Sequence, residues 1–241
     1  MHGFANPKRF LSLARWLTPL TLAAGLILSC GALAWGVFVA PPDRLMGETV
    51  RILFLHVPTA WLGMGGWTMI AIASLVYLVW RHPLAALGAR AAAVPGLVFT
   101  LICLVTGSIW GRPTWGTWWV WDARLTSTLI LLFLYVGIIA LRAALDRRAN
   151  AGRACAILAL VGVVNLPVIK YSVNWWFTLH QPASFSLTEK PAMPVEMWMP
   201  LLFMVIAYYF FFFTVWIMRI RNEILVRERG ADWVRQWVVA K

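Results

Sequence analysis

The sequence predicts an all-α, polytopic integral membrane protein: a bundle of six transmembrane helices with both termini cytoplasmic, and a tryptophan-rich segment outside the membrane between the third and fourth spans. Composition is the first ground. Of 241 residues, 61% are hydrophobic and only 12% charged, with a mean hydropathy of +0.76, which leaves too little polar surface to coat a soluble globule. Apolar run lengths are the second. Stretches at about 17–40, 52–80, 94–110, 125–145, 154–175 and 197–218 mostly reach the ~20 residues that a spanning helix needs. Charge placement is the third. Fifteen of the 21 Lys and Arg residues fall on the side of the two termini, and only Arg44, Arg51, Arg112, Arg124, Lys170 and Lys190 fall on the other. By the positive-inside rule the richer side is cytoplasmic, which demands an even number of spans.

Each element has its own signature. The first run contains Ile27-Leu28-Ser29-Cys30-Gly31, which looks like a lipidation box, but it stays apolar to Pro41 and therefore reads as an uncleaved anchor. The second is long enough for its first turn, around His56, to stand clear of the hydrocarbon. Pro58 suits a helix start, where a missing N–H costs little, so His56 is expected at the helix tip with its ring free. The third run is the shortest of the six. Cys30, Cys103 and Cys155 all fall inside spans without CxxC spacing and read as packing residues. The chain is expected to form a single membrane domain over 1–241, with external pieces at about 111–125 and 176–197. A basic tail at about 219–241 mixes Arg with Glu223, Glu228, Asp232, Trp233 and Trp237, as an interfacial helix would. Membrane lipid is the expected partner of the basic excess, and nucleic acid is not.

The external side gathers the unusual residues. Five tryptophans fall between Trp110 and Trp121, ending Trp115-Gly116-Thr117-Trp118-Trp119-Val120-Trp121-Asp122. An interface belt explains scattered tryptophans such as Trp35, Trp61, Trp80 and Trp216, but not this density. Indoles beside a carboxylate and arginines suit a large planar ligand that carries charge. His56 and His180 face the same side, and two imidazoles approaching an iron from opposite sides are a standard way to hold haem. Arg51, Arg112 and Arg124 are placed by topology to neutralise its propionates. For Asp122 two readings stand level, an N-cap of the fourth span or a ligand-site residue.

The run from Trp115 to Thr126 resembles the tryptophan-rich (WWD) signature of the haem-handling membrane proteins of cytochrome c maturation. Leu55-His56-Val57-Pro58, Val164-Asn165-Leu166-Pro167 and Trp175-Trp176-Phe177-Thr178-Leu179-His180-Gln181 are similar to the cytochrome c maturation protein C branch of that family. The larger haem lyases that share the signature are much longer chains. This resemblance implies a haem-delivery subunit in the bacterial inner membrane, with its functional face periplasmic. His56 and His180 would be the axial ligands of haem b, bound as a transient substrate. Trp115, Trp118, Trp119 and Trp121 would form a platform, with Asp122 and Arg124 ordering it or meeting the propionates and Arg51 and Arg112 as further candidates. The implied partners are a periplasmic haem chaperone, cytochrome c maturation protein E, an ABC-type ATPase and permease, and a small single-span subunit. No conventional catalytic group is seen, so the work is positioning. Two other classes remain open: a transmembrane haem channel, and an electron-transfer protein with a permanent b-type haem.

Overall fold

The computed structural model describes residues 6–145, 150–181 and 191–239, so His2, Arg147, Arg148, Pro182, Lys190 and Lys241 lie outside it. Its helices are α1 (Pro7–Phe38), α2 (Leu53–Trp80), α3 (Pro83–Trp115), α4 (Ala123–Leu145), α5 (Ala151–Gly162), α6 (Asn165–Trp175), α7 (Val195–Arg227) and α8 (Asp232–Val239), with a 3-10 turn at Glu48–Ile52 leading into α2. Among the described residues there is no strand beyond one isolated bridge, Asp43 to Gly47. Six helical segments are long and apolar enough to cross a membrane, with α5 and α6 together making the fifth. The chain is an all-α, multi-pass membrane protein.

Local chemistry sets the boundaries. Asn6 caps α1 by accepting from the Lys8 N–H at 2.9 Å, with Pro7 in the first turn, as the proline preference at helix starts requires. Arg81 in the left-handed region (φ 52°) ends α2, and Pro83 begins α3. Gly116 (φ 79°) ends α3 by donating its N–H to the Arg112 carbonyl, a glycine cap that a residue with a Cβ fills only under strain. Two expectations are corrected here. The third span is among the longest, because helix continues from Pro83 through the Ala-rich stretch before residue 94 and on to Trp115. The fifth is broken at 163–164. Pro167 has no N–H for the Val163 carbonyl and its ring crowds that carbonyl, so the chain tightens into i→i−3 bonds there. Asn165 fastens the break by donating to the Ser127 carbonyl of α4 at 2.9 Å.

The core is built on small residues that let large ones in, the packing mode of helices in lipid. Trp67 and Tyr135 are fully buried and meet edge to face at 5.0 Å. Trp67 donates to the Ala159 carbonyl at 3.1 Å and Tyr135 to the Gly63 carbonyl at 2.7 Å. A Cβ at Gly96 would lie 2.2 Å from the Tyr135 hydroxyl, and one at Gly162 would lie 2.5 Å from Trp67. The two ends of the bundle differ. At one, Leu11 of α1, Ala91 of α3 and Ile220 and Ile224 of α7 pack with Trp233, which places both chain ends together. At the other, Ala32, Val50, Phe54 and Met197 pack with Trp110, below the α3–α4 connection. We call these the terminus end and the tryptophan end.

Candidate functional site

At the tryptophan end a cavity of about 270 Å³ opens between α2, α3, α4 and α6. His56 from α2, Trp110 and Trp115 from α3, Trp119 from the connection, Arg124 from α4 and His180 from beyond α6 all line it, together with Lys170 and Gln181. The break in the fifth span matters here, because α6 runs against α4 and brings Lys170 within reach of Arg124, whose terminal nitrogen donates to the Lys170 carbonyl at 3.2 Å.

The two imidazoles are anchored alike. His56 places Nδ1 3.1 Å from the Cys103 carbonyl and 3.2 Å from the Thr106 hydroxyl, both on α3. A carbonyl only accepts, so Nδ1 carries the hydrogen and Nε2 keeps its lone pair. His180 places Nδ1 3.3 Å from Asp122 Oδ2, and an ionised carboxylate likewise fixes the Nδ1–H tautomer. Thr178 completes that arrangement, donating its hydroxyl to Asp122 Oδ2 and accepting from the His180 N–H at 3.2 Å. Each ring is also bounded by an indole edge, His56 by Trp110 at 5.9 Å and His180 by Trp115 at 4.7 Å. Both rings are thus prepared to ligate through Nε2.

Electrostatics agree with that state. Burial alone would lift the Asp122 carboxyl, but the Thr178 hydroxyl, the Leu125 N–H and neighbouring His180 together hold it below the usual carboxylate range. Burial depresses His180; the Asp122 charge and hydrogen bond oppose it, Arg124 adds to it, and the imidazole sits below its ordinary value. At neutral pH the pair is therefore a carboxylate and a neutral imidazole.

Three buried donors around the cavity, Trp110 Nε1, Trp119 Nε1 and Arg124 Nε, have no hydrogen-bond partner among the described residues. Leaving a buried donor unmade costs about 1–3 kcal/mol. A ligand that brings acceptor oxygens would satisfy them. Together the cavity offers two nitrogen lone pairs, aromatic walls and donors for an anion, which suits an iron whose remaining coordination positions are filled by a flat macrocycle bearing carboxylates.

Comparison with known proteins agrees on one family. The family described as Heme exporter protein C matches residues 1–235. A relative of that name from Bradyrhizobium diazoefficiens is 51% identical over 226 residues, 92% of this chain and 84% of its own. One from Escherichia coli K12 is 46% identical over 242 residues, covering 100% of this chain and 97% of its own. One from Haemophilus influenzae is 42% identical over 235 residues, 98% and 96% of the two chains. This chain belongs to the Heme exporter protein C family.

The residues that the resemblance to this family singled out separate into two groups. His56, Trp115, Trp119, Arg124 and His180 converge on the cavity, and Asp122 stands behind His180. Trp118 and Trp121 do not line it; they are 57% and 77% exposed, with Trp121 lying edge-on to Trp119 at 5.4 Å. Arg51 and Arg112 also stay outside. Arg51 pairs with Glu48 and donates to the Gly36 and Val37 carbonyls, closing the end of α1, while Arg112 donates to the Gly116 carbonyl. The free ring expected at His56 is corrected: α2 begins at Leu53, so His56 already lies within the helix and its ring packs on α3. The N-cap reading of Asp122 holds, with Oδ1 accepting from the Leu125 N–H at 2.7 Å, while Oδ2 is engaged by Thr178 and His180. Three contributors were not foreseen. Trp110 was counted in the cluster but not in the platform, Thr178 lay unremarked inside a quoted motif, and Gly107 carried no side chain to notice. Gly107 is a packing necessity, since a Cβ there would lie 2.9 Å from His56 Cε1.

Proposed function

We propose that this protein binds haem b at the tryptophan end as a transient substrate and presents it for covalent attachment to a haem chaperone during cytochrome c maturation. In this reading His56 and His180 supply the two axial nitrogens, and Trp115 and Trp119 bound the macrocycle. Arg124 and the Trp110 and Trp119 N–H groups meet the propionates. The observation that carries it is the pairing of two Nδ1-anchored imidazoles with three buried donors that have no partner among the described residues, all around one cavity. Family membership supports the same substrate, since the relatives are named heme exporters.

The work assigned to the chain is positioning. Both Nε2 atoms are presented before any ligand arrives, and indole walls limit how a flat ring enters. Exposed Trp118 and Trp121 extend the aromatic surface beyond the cavity, where the acceptor protein, cytochrome c maturation protein E, would approach. The basic residues at the terminus end support a reading in which that end is cytoplasmic and the site lies on the periplasmic face of the bacterial inner membrane. An ABC-type ATPase and permease and a small single-span subunit are the companions this assignment carries.

Absorption spectroscopy of the detergent-purified full chain tests the reading. A Soret band is expected for the wild type and its loss or shift for His56→Ala and His180→Ala, with transfer to the chaperone falling in step. Wild-type haem content and transfer in both variants would reject the ligand assignment.

A further inference from the structure

The cavity at the tryptophan end has a side as well as a mouth. Among the described residues that line it, three are exposed: Trp61 of α2, Lys170 of α6 and Gln181 just past α6. Trp61 and Lys170 stand on helices that part at this level, and the parting has a local cause. Nearer the terminus end α2 is held to the fifth span, where Trp67 donates to the Ala159 carbonyl of α5 and rests on Gly162. Beyond the break at 163–164 the span continues as α6 and packs on α4 instead. Asn165 ties it there through the Ser127 carbonyl, and Arg124 through the Lys170 carbonyl. The cavity occupies the space left between α2 and α6, with Ala60, Trp61 and Met64 on one side and Ile169 and Lys170 on the other.

Depth decides what this opening faces. Helix α2 has 28 residues, about 42 Å of helix across a hydrocarbon layer of about 30 Å. Trp61 lies about 12 Å along α2 from Leu53, which is inside that layer. Lys170 stands nearer the end of its helix, which closes at Trp175, a level from which a lysine reaches the headgroups. The opening therefore has an apolar rim in the lipid and a cationic rim at the interface.

We propose that haem enters the cavity sideways from the bilayer, between α2 and α6, and not from water. This rests on haem as the ligand of that cavity. A flat ring with an apolar edge and two carboxylates on the opposite edge lies in a bilayer with the carboxylates toward the headgroups. In that pose the apolar edge slides past the Trp61 indole while Lys170 steers the carboxylates toward Arg124. The step that supplies this protein accordingly delivers haem into the membrane.

The test uses the purified full chain in phosphatidylcholine nanodiscs, with uptake followed at the Soret band by stopped flow. Separate arms receive free hemin, hemin joined by a direct amide from one propionate to phosphatidylethanolamine, and a hemin monoamide without lipid as control for the lost carboxylate. The wild type is expected to bind all three. Binding of free hemin and the monoamide but not of the lipid-joined form overturns lateral entry and leaves the proposed function standing; no band in any arm overturns both. Trp61→Ala widens the opening, and uptake and loss of free hemin are expected to rise together, about fivefold, the rate equivalent of one aromatic contact. Affinity is expected to hold, because a route changes both rates alike whereas a binding contact changes their ratio. Unchanged rates, or a change in one rate alone, overturns the route. Lys170→Gln is expected to abolish the faster uptake of hemin over its dimethyl ester; persistence of that difference overturns the steering assigned to Lys170.

Discussion

Gly107 offers the sharpest probe of the proposed haem site, because one added carbon presses on the His56 ring without removing any polar group. In Gly107→Ala the new Cβ would sit 2.9 Å from His56 Cε1 and 3.4 Å from Nδ1. Unstrained carbon contacts begin near 3.5 Å, so the ring must retreat from α3 by roughly 0.6 Å. Both partners of Nδ1 are on α3, and the 3.1 Å bond to the Cys103 carbonyl stretches to about 3.7 Å, beyond hydrogen-bond range. Loss of such a supporting bond typically weakens metal affinity by about 10- to 100-fold. Stability moves less, since overpacking costs about 1–3 kcal/mol and the gain in helix propensity returns about 1 kcal/mol. Haem titration followed at the Soret band, alongside a thermal melt of the empty protein, reads the two effects separately. Gly137→Ala is the control, because its Cβ would meet nothing within 4 Å. A Gly107→Ala protein that is folded and binds haem within about threefold of wild type would refute the claim that packing on α3 orients His56.

The other predictions address the remaining parts of the site and the core. Asp122→Asn keeps a good N-cap but loses the fixed Nδ1–H tautomer of His180, so helicity by circular dichroism should hold while haem affinity drops about 10- to 100-fold. Trp110→Phe/Trp119→Phe removes two donors that have no partner among the described residues; the wild type should prefer haem over its dimethyl ester, and the variant should lose that preference in competition titrations. Because folding lowers His180 from the ordinary imidazole value, the unfolded chain takes up its proton first as pH falls. His180 therefore penalises the fold progressively from about pH 6.5 down to its lowered folded value, and contributes no such penalty above that window; haem retention should accordingly persist at pH 6.5 and fail below it in a pH-stepped Soret measurement. Gly96→Ala drives a Cβ to 2.2 Å from the Tyr135 hydroxyl and should lower yield and melting temperature, with Tyr135→Phe on the same background recovering part of both.

The span count was legible because it rests on composition and run length, which lipid reads directly, and the six segments fall where the apolar stretches do. Helix α3 was read too short because its first turns are alanine-rich and its last ones carry Ser108, Gly111 and Arg112, so hydropathy fades while backbone bonding continues. The fifth span hid its break for the converse reason: Val164 to Val168 stays apolar on average, and the information lay in Pro167 alone. In the candidate site the histidines, Trp115, Trp119 and Arg124 were legible as residue types on one side of the membrane. Residue type does not give direction, however. Arg51 and Arg112 share side and charge with Arg124, yet each is consumed by carbonyls at a helix end. Gly107 was legible in principle: Gly96, Thr100, Cys103, Gly107 and Gly111 form a stripe at helical spacing, which marks the face of α3 that α2 approaches.

Asp122 ties fold and site together through its two oxygens. Oδ1 starts α4 by accepting the Leu125 N–H, and Oδ2 holds Thr178 and the His180 ring. The supports of the two imidazoles consequently differ in kind. His56 is part of a continuous helix and leans on a backbone carbonyl of another, so its orientation changes only if α2 and α3 shift relative to each other. His180 belongs to the segment after α6, outside helix, and depends on one carboxylate and one hydroxyl. If haem bridges the two, the His180 bond is the one that can open while the helices stay packed. Release to an acceptor histidine would then begin on the His180 side. Thr178→Val isolates this step: it removes the hydroxyl that both steadies Asp122 and accepts the His180 N–H, and it should speed haem loss to apo-chaperone in stopped-flow transfer while leaving α4 capped. An unchanged transfer rate would place the first opening at His56 instead.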